Sequence, residues 1–89
     1  MKPVEKKALK AKAHALNPVV MIGQAGLTPA VINEIGVALD AHELIKVKIR
    51  AERNERKTIS EQICLETQSE LIQSIGQIVV LFRKNPNKP

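Results

Sequence analysis

Between Leu44 and Arg50 the chain alternates with a period of two: Ile45, Val47 and Ile49 point one way, Lys46, Lys48 and Arg50 the other. Only an extended strand places side chains so. A strand with one apolar edge and one charged edge needs neighbouring strands beside it and a cover over its apolar side. The chain has 89 residues in which to supply both, enough for one domain and too few for two cores. Residues 1–89 are therefore expected to form a single domain ending in a basic tail over 83–89. Cys64 is the single cysteine, so no internal disulfide forms, and no Cys/His spacing suits zinc. Phe82 is the one aromatic residue, which leaves the core to Ile, Val, Leu and Ala.

The cover is legible on either side of that strand. Pro3 suits the first turn of a helix over residues 4–16, where Leu9, Ala13 and Leu16 share a weak apolar face and the lysines point outward. Asn17-Pro18 stops it, and Val19 to Ile22 reads as a short strand buried on both faces. Thr28-Pro29 announces a helix over 29–41, with Val31, Ile32, Ile35, Ala38 and Leu39 at helical spacing. A third helix spans 54–68 around Ile59 and Ile63, capped by Asn54 or by a box opening at Thr58. Leu71–Ile75 and Gln77–Arg83 are strands that meet at Gly76, as a tight hairpin or as a bend in one long strand. The order α-β-α-β-α-β-β predicts an α/β fold, a two-layer sandwich with a four-stranded mixed sheet. Right-handed crossovers put the second and third helices on one face, leaving Lys46, Lys48 and Arg50 on the other.

Charge is distributed unevenly. Residues 1–12 carry five lysines against one glutamate, and residues 83–89 carry three cations and no acid. The stretch between has six basic and eight acidic residues, within a net charge of +5. If the two ends meet in space they form one basic patch; if they do not, they are solvated termini.

Two motifs suit a polyanion. Gly23-Gln24-Ala25-Gly26 lies on a strand-to-helix turn, where glycines let the backbone approach a ligand and the following helix N-terminus favours phosphate. The same glycines could serve only to turn the chain. Lys46, Lys48 and Arg50 form a ladder of about 13–14 Å, at a rise of 3.4 Å per residue, long enough to meet successive phosphates. Like charges in a row repel, so a counter-charge or a polyanionic partner is expected, and Glu52 supplies at most part of it. Without Trp or Tyr there is no stacking platform. Nucleic acid would be held by backbone and shape, with modest sequence preference and a steep salt dependence.

Other function classes are poorly supported. His14 and His42 are far apart, Cys64 sits between Ile63 and Leu65 as a core residue, and the acids are dispersed. No nucleophile elbow, Walker loop or dinucleotide fingerprint occurs. The chain is read as non-enzymatic, with no catalytic residue, metal or cofactor. Its longest apolar run, Ile78 to Phe82, is far too short for a membrane span. The lone cysteine and the lack of an apolar leader point to the cytoplasm.

Three blocks carry a family resemblance: Leu16 to Thr28, His42 to Ile49, and Ile75 to Arg83. In this order they resemble the CRM domain (chloroplast RNA splicing and ribosome maturation) in its stand-alone bacterial YhbY-type form. That resemblance implies a fold like the C-terminal domain of translation initiation factor three. It also implies an RNA-binding surface and association with large-subunit ribosomal RNA or its precursor in a pre-ribosomal particle. The expected RNA-binding residues are Lys6, Lys7, Lys10 and Lys12 of the first helix, Gly23, Gln24, Ala25, Gly26 and Thr28 of the loop, and Lys46, Lys48, Arg50 and Arg83. Many relatives place a basic residue where this loop has Gln24-Ala25, and Tyr is common where Phe82 stands. The expectation is a monomeric, non-catalytic ribosome-assembly factor. The rival readings are a protein-interaction module docking an acidic partner through its basic face, and a general DNA-binding protein.

Overall fold

In the computed structural model, which describes residues 2–85, the chain runs α1 (Pro3–Ala13), β1 (Pro18–Ile22), α2 (Pro29–His42), β2 (Leu44–Ile49), α3 (Arg53–Thr67), β3 (Glu70–Ile75) and β4 (Ile78–Phe82). The strands form one sheet in the order β1-β2-β4-β3. β1 pairs parallel to β2, and β4 runs antiparallel to both β2 and β3. Strands β1, β2 and β3 therefore point the same way, with β4 slotted between the last two. The sheet is mixed, as the element order leads one to expect.

The alternation of β2 sets the two faces. Ile45, Val47 and Ile49 are buried with Val20 and Ile22 of β1, Val79 and Leu81 of β4, and Ile35, Leu39 and Ile63 from α2 and α3. Both long helices thus cover one face. On the opposite face Ala13 of α1 packs against Ile72 and Val80, with Leu9, Leu44 and Phe82 around them. The sandwich of α2 and α3 on the sheet has its two expected layers, and α1 adds a partial third.

Several boundaries move for physical reasons. α1 ends at Ala13, three residues early, because the chain tightens into i→i+3 turns in which Ala15 and Leu16 donate to Lys12 and Ala13. β1 is not buried on both faces: it is an edge strand, and Val19 and Met21 are exposed where α1 does not reach. The doubly buried strand is β4, with Val79, Val80 and Leu81 all in cores. Neither expected cap opens α3. Its N-cap is Glu52 without a side-chain bond, while Thr58 Oγ1 donates back to the Asn54 carbonyl at 3.2 Å. The helix closes instead at Gln68, in the left-handed region with φ 56. β3 and β4 form a hairpin whose two-residue turn begins at Gly76, φ +55, as a type II′ turn requires.

Candidate functional site

Docking of α1 builds a groove. Leu9 and Ala13 anchor the helix to the sheet, and the same turn carries Lys10 over β2. Lys10, His14, Lys46, Gln73, Ile75 and Ile78 line a groove of about 170 Å³. Lys48 stands two residues along β2, in the row that runs Met21, Lys48, Ile78, Ile75 across all four strands. Met21 and Ile75 are 56% and 60% exposed, so that row is an open apolar floor with one cation in its middle. Lys46 and Lys48 are half-buried, the burial that long lysine stems reach against apolar neighbours while their charge stays hydrated. Among the described residues the one ion pair is Arg83–Asp40, so no carboxylate neutralises Lys10, Lys46 or Lys48.

The remaining lysines of α1 divide. Lys6, half-buried, lies one turn before Lys10 on the same side, and Lys7 is exposed. Lys12 turns away and lines a different groove with His42 and Glu43.

The glycine loop follows β1 at the end of the sheet where β2 also finishes, and the Arg50 backbone donates to the Ile22 carbonyl at 3.0 Å beside it. Gly26 donates to the Gly23 carbonyl at 3.0 Å and closes a tight turn with Gln24 and Ala25 exposed at its corners. Gly26 has φ +74, a conformation that a side chain resists. Gly23 is different: its φ is ordinary, and a Cβ there would meet nothing within 4 Å. The fold needs Gly26 but makes no demand on Gly23. Thr28 has a structural task, since its Oγ1 accepts from the Val31 N–H at 3.2 Å and caps α2. Arg50 lies just past the end of β2, exposed, and extends the basic row beyond the strand.

Arg83 is not brought to this surface. It follows β4 at the opposite end of the sheet, where its guanidinium donates to the carbonyls of Thr67 at 2.8 Å and Gly36 at 3.0 Å and to Asp40 Oδ1 at 2.6 Å. The two chain ends accordingly do not merge into one patch at this residue. Lys84 sits near Asp40 and Glu70, and Lys88 lies outside the described residues.

Sequence reasoning missed the apolar floor and the seating of α1 above it. The available signal was the pairing of a small residue, Ala13, with the apolar Ile72 and Val80 on the charged side of the sheet. Among the described residues no group of three His, Cys, Asp or Glu side chains could hold a metal. No described helix is long and apolar enough to cross a membrane. Cys64 is half-buried against the larger core, and burial pushes its thiol pKa up, against a smaller lowering from its bond with Ser69.

Comparison with known proteins bears on the fold and the family. The chain is 43% identical over 83 residues to a probable RNA-binding protein of Pseudomonas aeruginosa, covering 92% of this chain and 80% of that one. It is 50% identical over 80 residues to an RNA-binding protein of Haemophilus influenzae, covering 89% and 81%. The solution structure of a hypothetical protein from Staphylococcus aureus, described there as a candidate RNA-binding protein, superposes with a TM-score of 0.85. That match has 32% identity and covers 99% of this chain and 94% of the other. The CRS1/YhbY (CRM) domain matches residues 1–83, and the chain belongs to that family.

Proposed function

We propose that this protein binds RNA through the face shared by α1 and β2 together with the Gly23–Gly26 loop. The observation that carries this reading is the groove in which Lys10 and Lys46 converge over an apolar floor without a carboxylate partner. Unneutralised cations on a half-covered face favour a polyanion, and phosphate contacts of this kind fix position and supply affinity. The names of the relatives support RNA as that polyanion. Gly23, which the fold does not require, leaves room for a sugar-phosphate backbone to come against the loop.

The finer reading is a cytoplasmic, non-catalytic factor that associates with large-subunit ribosomal RNA or its precursor during assembly. Support for it comes from the family resemblance and from a surface suited to backbone and shape. Fractionation of cell extract on a sucrose gradient, with crosslinking to RNA, tests it. The protein should sediment with particles of the large subunit or its precursors and be released by ribonuclease. Release by salt but not by ribonuclease would favour an acidic protein partner instead.

A further inference from the structure

A second basic cleft lies on the other face of the sheet. Arg53, Asn54, Arg56, Lys57, Ser60 and Ser74 are among the residues lining a cleft of about 820 Å³ between the first half of α3 and the end of β3, and no carboxylate is among its lining residues. One of its cations, Arg56, is held against the main chain. Arg56 Nη1 donates to the Ala51 carbonyl at 2.6 Å, and Ser60 Oγ donates to the Lys57 carbonyl at 2.9 Å. Arg53 and Lys57 are exposed, one turn apart on α3, and among the described residues neither has an ion-pair partner.

The two basic grooves share a boundary. Ser74 lines the cleft beside α3, while the next residue, Ile75, lines the groove beside α1, because consecutive strand side chains point to opposite faces. The turn at Gly76-Gln77 stands between them, and it carries no charged side chain. Gly76 itself lines the cleft. A chain leaving the Lys10–Lys46 groove and crossing this turn enters a cleft, and neither groove has a carboxylate among its lining residues.

We propose that a single RNA strand occupies both grooves, crossing the β3–β4 turn, and that Arg53 and Lys57 hold its phosphates on the α3 side. The proposal rests on the RNA reading of the Lys10–Lys46 groove and extends it to a site on the opposite face. Single strands on small domains occupy roughly 4–16 nucleotides, so a strand that wraps an edge needs the upper part of that range.

The test uses the full chain and unstructured polyuridine RNAs of roughly 4 and roughly 16 nucleotides. Arg53→Ala with Lys57→Ala is compared with Lys46→Ala and Lys48→Ala, and thermal melts confirm that each variant is folded. The cleft variant should lose about fivefold or more on the longer RNA and much less on the shorter one, as loss of outlying phosphate contacts does. Equal losses at both lengths, or no loss at the longer length, overturns the bridging strand. If the Lys46/Lys48 variant weakens binding while the cleft variant does not, the extension falls and the first groove stands. If neither variant weakens binding, the RNA reading of the whole surface falls with it.

Discussion

Arg83 and Asp40, far apart in the chain, meet at 2.6 Å and tie the end of β4 to α2. Asp40 is 71% exposed, so the ion pair alone contributes little; the two carbonyl bonds from the same guanidinium, to Thr67 and Gly36, matter more. They join the closing end of α3 and the middle of α2 to the last strand. Replacing Arg83 by Ala strands both carbonyls and should destabilise the fold by about 1–3 kcal/mol. Urea denaturation measures this. RNA affinity of the folded variant should stay at the parent value; a selective loss of affinity without loss of stability would return Arg83 to the binding surface.

Lys46→Ala with Lys48→Ala should weaken RNA binding by about 1–3 kcal/mol in sum, with the slope of log K against log salt shallower by about one or two units. The half-buried stems make a modest stability loss the expected companion. Titrations at several salt concentrations separate the two effects, and an unchanged slope would remove this strand from the interface.

The lysines of α1 should not behave alike. Lys10→Glu puts an acid into the groove opposite Lys46, whereas Lys12→Glu acts in a different groove beside His42. The first should lower RNA affinity by about tenfold, or about 1.4 kcal/mol, and the second much less. Equal losses from both would mean that α1 acts through overall charge alone.

The loop glycines should separate folding from binding. Gly26→Ala forces a side chain into φ +74 and should cost about 1 kcal/mol or more of stability. Gly23→Ala has ordinary φ and open space, so its melting temperature should not fall. If RNA comes against this backbone, Gly23→Ala loses affinity all the same. A Gly23→Ala protein that binds as the parent does would reduce the loop to architecture.

Cys64 should react slowly. Burial holds the thiol protonated above its ordinary pKa, and less thiolate means slower alkylation than a free cysteine shows at mildly alkaline pH. Because the folded pKa is the raised one, folding is undisturbed below the ordinary thiol pKa and weakens as pH climbs through the raised value. Alkylation rates against pH, with and without urea, check the direction.

Much of this was readable from residues because local rules and packing agreed. The period of Leu44–Ile49 and the Thr28-Pro29 start of α2 name their own structure, whereas Gly76 marks a turn without saying whether it closes a hairpin or bends one strand. β1 misled because Val19 and Met21 are apolar and exposed; an apolar run cannot say that its strand will be an edge. The course of Arg83 was hidden for another reason. Its acceptors are two main-chain carbonyls and a carboxylate brought close only by the packing of α2, α3 and β4, and carbonyls leave no mark in a sequence. The Lys10–Lys46 groove was half legible: the charges were visible, but the seating of α1 that sets them face to face depends on the small side chain of Ala13.

The placement of β4 has a consequence for how the molecule is made. β2 and β3 are synthesised with α3 between them, yet they cannot touch each other, because the strand that belongs in the gap has not yet been added. Until Ile78–Phe82 arrives, Ile45 and Val47 lack Leu81 and Val79 beside them, and Ala13 lacks Val80 beneath it. One late strand completes both cores at once. Folding should therefore show a single cooperative step governed by contacts distant in sequence, with no stable half-domain on the growing chain.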